Sequence, residues 1–187
     1  MENTKELEKK KHSKTLDIAY IAIGAALISI CAWISIPMTI PFTLQTFAVF
    51  AVVMTLGGKR GTLATIVYIL LGLVGAPVFS GFNAGVGVLF GNTGGYILGF
   101  VFIGLIYMLA TKLFGEKLTV EIAALVLGLI VCYAFGTAWF MFNYLRKTGS
   151  VGLVTVLSWC VFPYILPDLV KLALAVLLSK RIKPVIK

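Results

Sequence analysis

Between Thr62 and Thr111 the chain carries no charged side chain, yet eight glycines crowd into GAPVFSGFNAGVGVLFGNTGGYILG, from Gly75 to Gly99. So long an uncharged run reads as membrane-embedded chain. Within a bilayer, irregular backbone persists only where it lines a cavity or packs against protein. The glycine segment is therefore the first place to look for a functional site. Composition agrees with the compartment: a chain of 187 residues that is 60% hydrophobic and 12% charged cannot cover a water-facing surface.

At about 20 apolar residues per crossing there is room for roughly six spans and no separate soluble domain. The apolar runs are Leu16 to Ile36, Phe42 to Leu56, Thr62 to Val74, Tyr96 to Leu113, Val120 to Leu145 and Val151 to Leu178. The second and third are short and borrow flanking residues. The expectation is an all-α integral membrane protein, a single membrane domain over residues 1–187 with six transmembrane helices.

Lysine and arginine set the orientation, because basic residues in short loops stay on the cytoplasmic side. Of the 16 in the chain, all but Arg146, Lys147 and Lys171 fall on the side of the amino terminus, and Lys171 lies within a span. Both termini are thus expected inside, with residues 1–14 a basic cytoplasmic arm and residues 75–95 an extracellular glycine-rich loop. The net charge of +9 is explained by this topology and by anionic membrane lipid, without nucleic acid as a partner. The arm precedes an apolar run of roughly 21 residues, too long for a signal-peptide core, and reads as retained. His12 reads as a solvated tail residue. Cys31, Cys132 and Cys160 sit in separate apolar runs without metal-site spacing and read as small buried apolar residues, so neither a disulfide nor a metal site is expected.

Ionisable groups inside a membrane are costly, about 2.5 to 3.5 kcal/mol each on insertion scales. Asp168 and Lys171 are the two that lie well inside a span, and their i, i+3 spacing places them on one helix face. With the helix leaving the membrane near Lys180, they lie about 18 Å and about 14 Å from the inner edge of a roughly 30 Å core. They serve either as a structural ion pair or as a joint ligand contact. Pro163 and Pro167 favour the second by breaking the last span, with Pro167 suited to the first turn of a helix and Asp168 in that turn.

A second polar cluster, PFTLQTF at Pro41 to Phe47, reads as a helix beginning at Pro41 with Thr43, Gln45 and Thr46 in its first turns. Gln45 both donates and accepts, as interhelical glue or as a ligand contact. The third cluster is the glycine segment, with Ser80, Asn83, Asn92 and Thr93. Gly95 and Gly99 suit close helix packing, whereas Gly81, Gly85 and Gly87 suit a tight loop. Phe79, Phe82 and Phe90 would give that loop an apolar underside, so it reads as a lid. On the first span Ala22, Ala26 and Ser29, with Ala25 beside them, form a small-residue stripe for internal packing or for docking another membrane protein.

AWISIP at Ala32 to Pro37, PFTLQTF, GLVGAPVFSGFNAGVGVLFGNTGGYILGF at Gly72 to Phe100 and FPYILPDLVKLALA at Phe162 to Ala175 together resemble the BioY family, the biotin-specific substrate-binding (S) components of energy-coupling-factor (ECF) transporters. The resemblance implies a six-helix S-component fold that takes biotin from outside and works with a membrane coupling protein and a pair of cytoplasmic ATPases. It implies that Ala22 and Ala26 touch the coupling protein. The substrate-binding set is Gln45, Phe79, Asn83, Asn92, Tyr96, Tyr164, Asp168 and Lys171. Where this chain has Gly91, Asn92 and Thr93, family members usually carry GPT; Asn92 either reaches the ligand or caps the fourth helix. Asp168 and an amide such as Asn92 or Gln45 would meet the ureido ring, and Lys171 either its carbonyl or the valerate carboxylate.

No GxxxxGK[ST] phosphate loop is present; GGKRGT at Gly57 to Thr62 lacks the earlier glycine. ATP is thus left to partner subunits, biotin is bound as a substrate, and no cofactor is called for. A stand-alone or proton-coupled vitamin carrier, with Asp168 as the protonated group, is the alternative. An enzyme is disfavoured, since neither HExxH nor GxSxG occurs.

Overall fold

The structure, a computed structural model, describes residues 2–38, 40–149 and 151–186, with side chains described from Lys14 onward except Lys147. The His12 side chain and those of Lys5, Lys9, Lys10, Lys11, Lys147 and Lys187 lie outside that set. Helix α1 spans Glu2–Trp33, followed by strands β1 (Ser35–Ile36) and β2 (Phe42–Thr43), then α2 (Gln45–Leu56) and α3 (Gly58–Leu73). A 3-10 turn at Ser80–Phe82 and a single-turn helix α4 (Val86–Leu89) lie in the glycine segment. The chain continues with α5 (Gly94–Phe114), α6 (Leu118–Lys147), α7 (Leu153–Cys160) and α8 (Phe162–Ile186).

Among the described residues, four stretches are long and apolar enough to cross a membrane: Lys14–Trp33, Gly94–Phe114, Leu118–Arg146 and Leu153–Ile186. Helices α2 and α3 have 12 and 16 residues. At 1.5 Å per residue they reach about 18 Å and about 24 Å of a roughly 30 Å core. Every residue of α2 from Ala48 to Met54 is buried, the mark of a helix enclosed on all sides. It packs chiefly against α8, and also against α3, α1 and α5.

Two helix starts differ from the sequence reading. Pro41 does not open a helix: Phe42 and Thr43 pair antiparallel with Ile36 and Ser35, adding a two-residue ladder to an otherwise helical fold. Pro37 and Pro41 favour extended chain before them, so the segment pairs before it coils. The last span breaks at Val161 (φ −126°, ψ −58°), ahead of both prolines. Pro163 takes the first turn of α8, where its missing N–H costs nothing, while Pro167 lies inside the helix and Asp168 beyond that turn.

Helices α5 and α6 form the most extensive helix pair. A methyl group added at Gly99 would lie 2.7 Å from the Cys132 sulfur, and one at Gly95 would overlap Trp139, so both glycines are required by the contact. The small-residue stripe on α1 divides between two faces. Ala25 and Ser29 are buried, with the Ser29 hydroxyl donating to the Ala25 carbonyl at 2.9 Å, whereas Ala22 and Ala26 are exposed. At the end of the bundle away from the glycine segment, Arg60 pairs with Asp17 at 2.5 Å, and Lys183 pairs with Glu121 and Glu116.

Candidate ligand-binding cavity

The contact between α2 and α8 brings the polar residues of two separate apolar runs together. Thr46 lies in the first turn of α2. Asp168 and Lys171, one turn apart on α8, point at it. The Thr46 hydroxyl donates to Asp168 Oδ1 at 2.8 Å, and Lys171 Nζ donates to the same oxygen at 2.7 Å and to Thr46 Oγ1 at 3.1 Å. Tyr133, from α6, donates its hydroxyl to Asp168 Oδ2 at 2.5 Å. Asp168 and Lys171 are 3% and 5% exposed, so each charge relies on this network for the solvation that water no longer provides.

Counting the bonds defines what the pair still offers. A carboxylate has about four acceptor sites and an ammonium three donors. Asp168 accepts three of the hydrogen bonds above, two of them at Oδ1, and Lys171 donates two, which leaves one acceptor position on Oδ2 and one N–H on Lys171. The ammonium also lies 4.3 Å from the centre of the Phe42 ring, a favourable cation–π distance.

These groups form one wall of a cavity enclosing about 140 Å³. Thr43, Gln45 and Tyr164 contribute polar atoms from the second cluster and the start of α8, and Tyr96, Ile97, Phe100, Leu129 and Cys132 contribute the α5 and α6 walls. The glycine segment supplies Phe79, Ser80, Asn83, Val88 and Thr93. Of the substrate-binding set, Gln45, Phe79, Asn83, Tyr96, Tyr164, Asp168 and Lys171 all line this cavity. Gln45 donates through Nε2 to the Tyr68 hydroxyl at 2.5 Å, and Tyr164 donates to the Ile40 carbonyl, holding the chain just ahead of β2 against α8.

Asn92 stands outside the cavity wall and does not cap α5; the N-cap position falls to Thr93, without a side-chain cap bond. The adjoining Gly91 carbonyl is taken by Trp139 Nε1 at 3.0 Å, which ties this turn to α6. The loop's apolar underside is likewise smaller than expected. Phe79 is buried, edge-on to Tyr68, but Phe82 and Phe90 are each 62% exposed. Phe82 stacks on Trp33 with centroids 5.1 Å apart, and Trp33 Nε1 donates to the Pro77 carbonyl at 2.8 Å. The loop is therefore fastened to the end of α1. Gly81 (φ +67°) and Gly85 (φ +87°) give it backbone turns that side-chain-bearing residues disfavour.

Tyr133 and Tyr68 escape the sequence reading. Each is one tyrosine in an apolar helix, and only the packing reveals that its hydroxyl meets a polar partner. All three cysteines are buried and free, and the described residues contain no cluster suited to a metal ion.

Long apolar helices around a buried polar cavity, lined in part by a loop tied to the bundle, define a membrane-embedded solute-binding protein. The fold matches a crystal structure of the S-component for biotin from an ECF-type ABC transporter, with TM-score 0.82 and 25% identity over 92% of this chain and 93% of that one. The BioY family model matches residues 4–187, and the chain belongs to that family. It is 43% identical over 167 residues to the biotin transporter BioY of Thermotoga maritima, covering 86% of this chain and 92% of that protein. To the probable biotin transporter BioY of Pyrococcus horikoshii it is 34% identical over 172 residues, covering 91% and 98%. The family is a substrate-binding component of transporters, not an enzyme family, and its apolar helices make the chain a multi-pass protein of the plasma membrane.

Proposed function

We propose that this protein captures biotin from outside the cell and delivers it inward as the S component of an ECF-type transporter. In this reading residues 1–187 form one membrane domain with six crossings, α2 and α3 providing the two short ones. Both termini are cytoplasmic, residues 1–14 are a basic arm and residues 75–95 lie outside. The reading is carried by the acceptor position left on Asp168 and the N–H left on Lys171, two residues of the cavity wall. A ureido edge presents an N–H beside a carbonyl, the complement of that pair. The apolar sides of Phe79, Tyr96, Ile97 and Phe100 then flank the thioether ring and alkyl chain, as in most small-molecule sites. The valerate carboxylate points toward Ser80 and Asn83.

Partners follow from what the chain lacks. Without a phosphate loop it takes ATP energy from a membrane coupling protein and two cytoplasmic ATPases, with exposed Ala22 and Ala26 on the coupling face. Biotin is the substrate, and no cofactor is required. The proton-coupled alternative loses support at Asp168, whose carboxylate already accepts from Thr46, Tyr133 and Lys171. Titrating purified protein with biotin by calorimetry tests the proposal. Saturable one-to-one binding is expected, and its absence in a folded sample overturns it.

A further inference from the structure

Outside the cavity, on the far side of the same α2–α8 contact, a groove of about 450 Å³ is lined by Phe47, Leu174, Leu177, Leu178 and Arg181. Thr46 and Phe47 are adjacent on α2, the first at the ligand cavity and the second in this groove. Four of the five lining residues are apolar. The fifth places a guanidinium at one end. From Leu174 to Arg181 the helix rises about 10 Å, most of the roughly 15 Å depth of one leaflet's hydrocarbon.

Position separates Arg181 from its neighbours. Of the basic residues on this part of α8, Lys183 is taken by Glu121 and Glu116, and Lys180 and Arg181 are both exposed without an ion pair among the described residues, but Arg181 alone of the three lines the groove. An apolar channel ending in an unpaired guanidinium is complementary to an acyl chain with an anionic head. Arginine suits a phosphate in particular, through two parallel N–H donors. Basic sites between transmembrane helices bind anionic headgroups by this chemistry.

We infer that this groove is a binding site for one anionic phospholipid, its acyl chain along Leu174, Leu177 and Leu178 and its phosphate on Arg181. The site does not depend on the identity of the cavity's substrate. A zwitterionic lipid fills the channel equally well but brings its own cation beside the guanidinium, so the site prefers phosphatidylglycerol to phosphatidylcholine.

The test is native mass spectrometry of the full chain in detergent, titrated separately with phosphatidylglycerol and phosphatidylcholine of the same acyl length. The parent is expected to hold one phosphatidylglycerol more tightly than any further copies, and more tightly than phosphatidylcholine. Arg181→Gln should weaken that first site about fivefold and erase the preference, since a basic group near a membrane surface contributes about that factor. Lys180→Gln, removing an equal charge one residue away, should leave the site as in the parent. Leu177→Trp should obstruct the channel and lower retention of both lipids. The inference is overturned if Arg181→Gln retains the parent's preference, if Lys180→Gln lowers it equally, or if the groove proves occupied by a protein segment when the chain is purified with its partners.

Discussion

Tyr133 on α6 donates its hydroxyl to Asp168 Oδ2 on α8 at 2.5 Å, so the aspartate at the cavity wall is held from two helices at once, α6 through Tyr133 and α2 through Thr46. The ion pair with Lys171 is thereby fixed in position as well as in charge. Tyr133→Phe should remove one charge-assisted hydrogen bond, worth about 1.5–3 kcal/mol. Biotin affinity is expected to fall roughly tenfold or more by calorimetry, with the helical circular dichroism spectrum unchanged. An affinity equal to the parent's would show that Thr46 and Lys171 position Asp168 without help from α6.

Breaking a buried pair from one side leaves an uncompensated charge, at a cost of about 3–5 kcal/mol, whereas neutralising both partners removes that penalty. Lys171→Met alone should therefore lower the detergent melting temperature more than Asp168→Asn with Lys171→Met combined. Both should lose biotin binding. A double variant that recovers stability and still binds biotin would reduce the pair to a packing device.

Trp33 fastens the glycine loop by stacking on Phe82 and donating to the Pro77 carbonyl. The stack contributes about 0.5–1.5 kcal/mol and the hydrogen bond about 1 kcal/mol. If the loop covers the site, Trp33→Ala should speed biotin dissociation roughly tenfold in a stopped-flow chase while altering association less. An unchanged off-rate would remove the lid role.

A side chain at Gly95 or Gly99 meets Trp139 or Cys132. Overpacking of this kind costs about 1–3 kcal/mol. Gly99→Val should lower the melting temperature by several degrees, whereas Gly87→Ala, where an added methyl meets open space, should leave it near the parent's.

Ala22 and Ala26 are exposed on α1, away from the cavity. Tryptophan at either position should leave biotin affinity intact and prevent copurification with a coupling protein. Recovery of the full complex would remove these residues from the partner face.

What could be read beforehand depended on whether the signal was local. Asp168 and Lys171 stand out because charge inside an apolar run is costly, and Gln45, Phe79, Asn83, Tyr96 and Tyr164 lie in the motif segments that fold onto the same cavity. Tyr133 carries no such mark, since a tyrosine within α6 looks like any other large apolar residue until α8 lies against it. Asn92 carries a polar mark of the same kind, but it lies off the cavity wall, in a turn tied to α6 by Trp139. The helix starts failed where two prolines compete: Pro163 and Pro167 both suit a first turn, and the break at Val161 selects the earlier one.

Helix α2 begins at the polar cavity wall and is enclosed from Ala48 to Met54. A molecule resting on Thr46 thus has close-packed side chains ahead of it rather than a vestibule. The protein is a cup with a solid base. If the proposed transport holds, passage beyond Thr46 past the buried run Ala48 to Met54 calls for movement of whole helices and not of side chains alone.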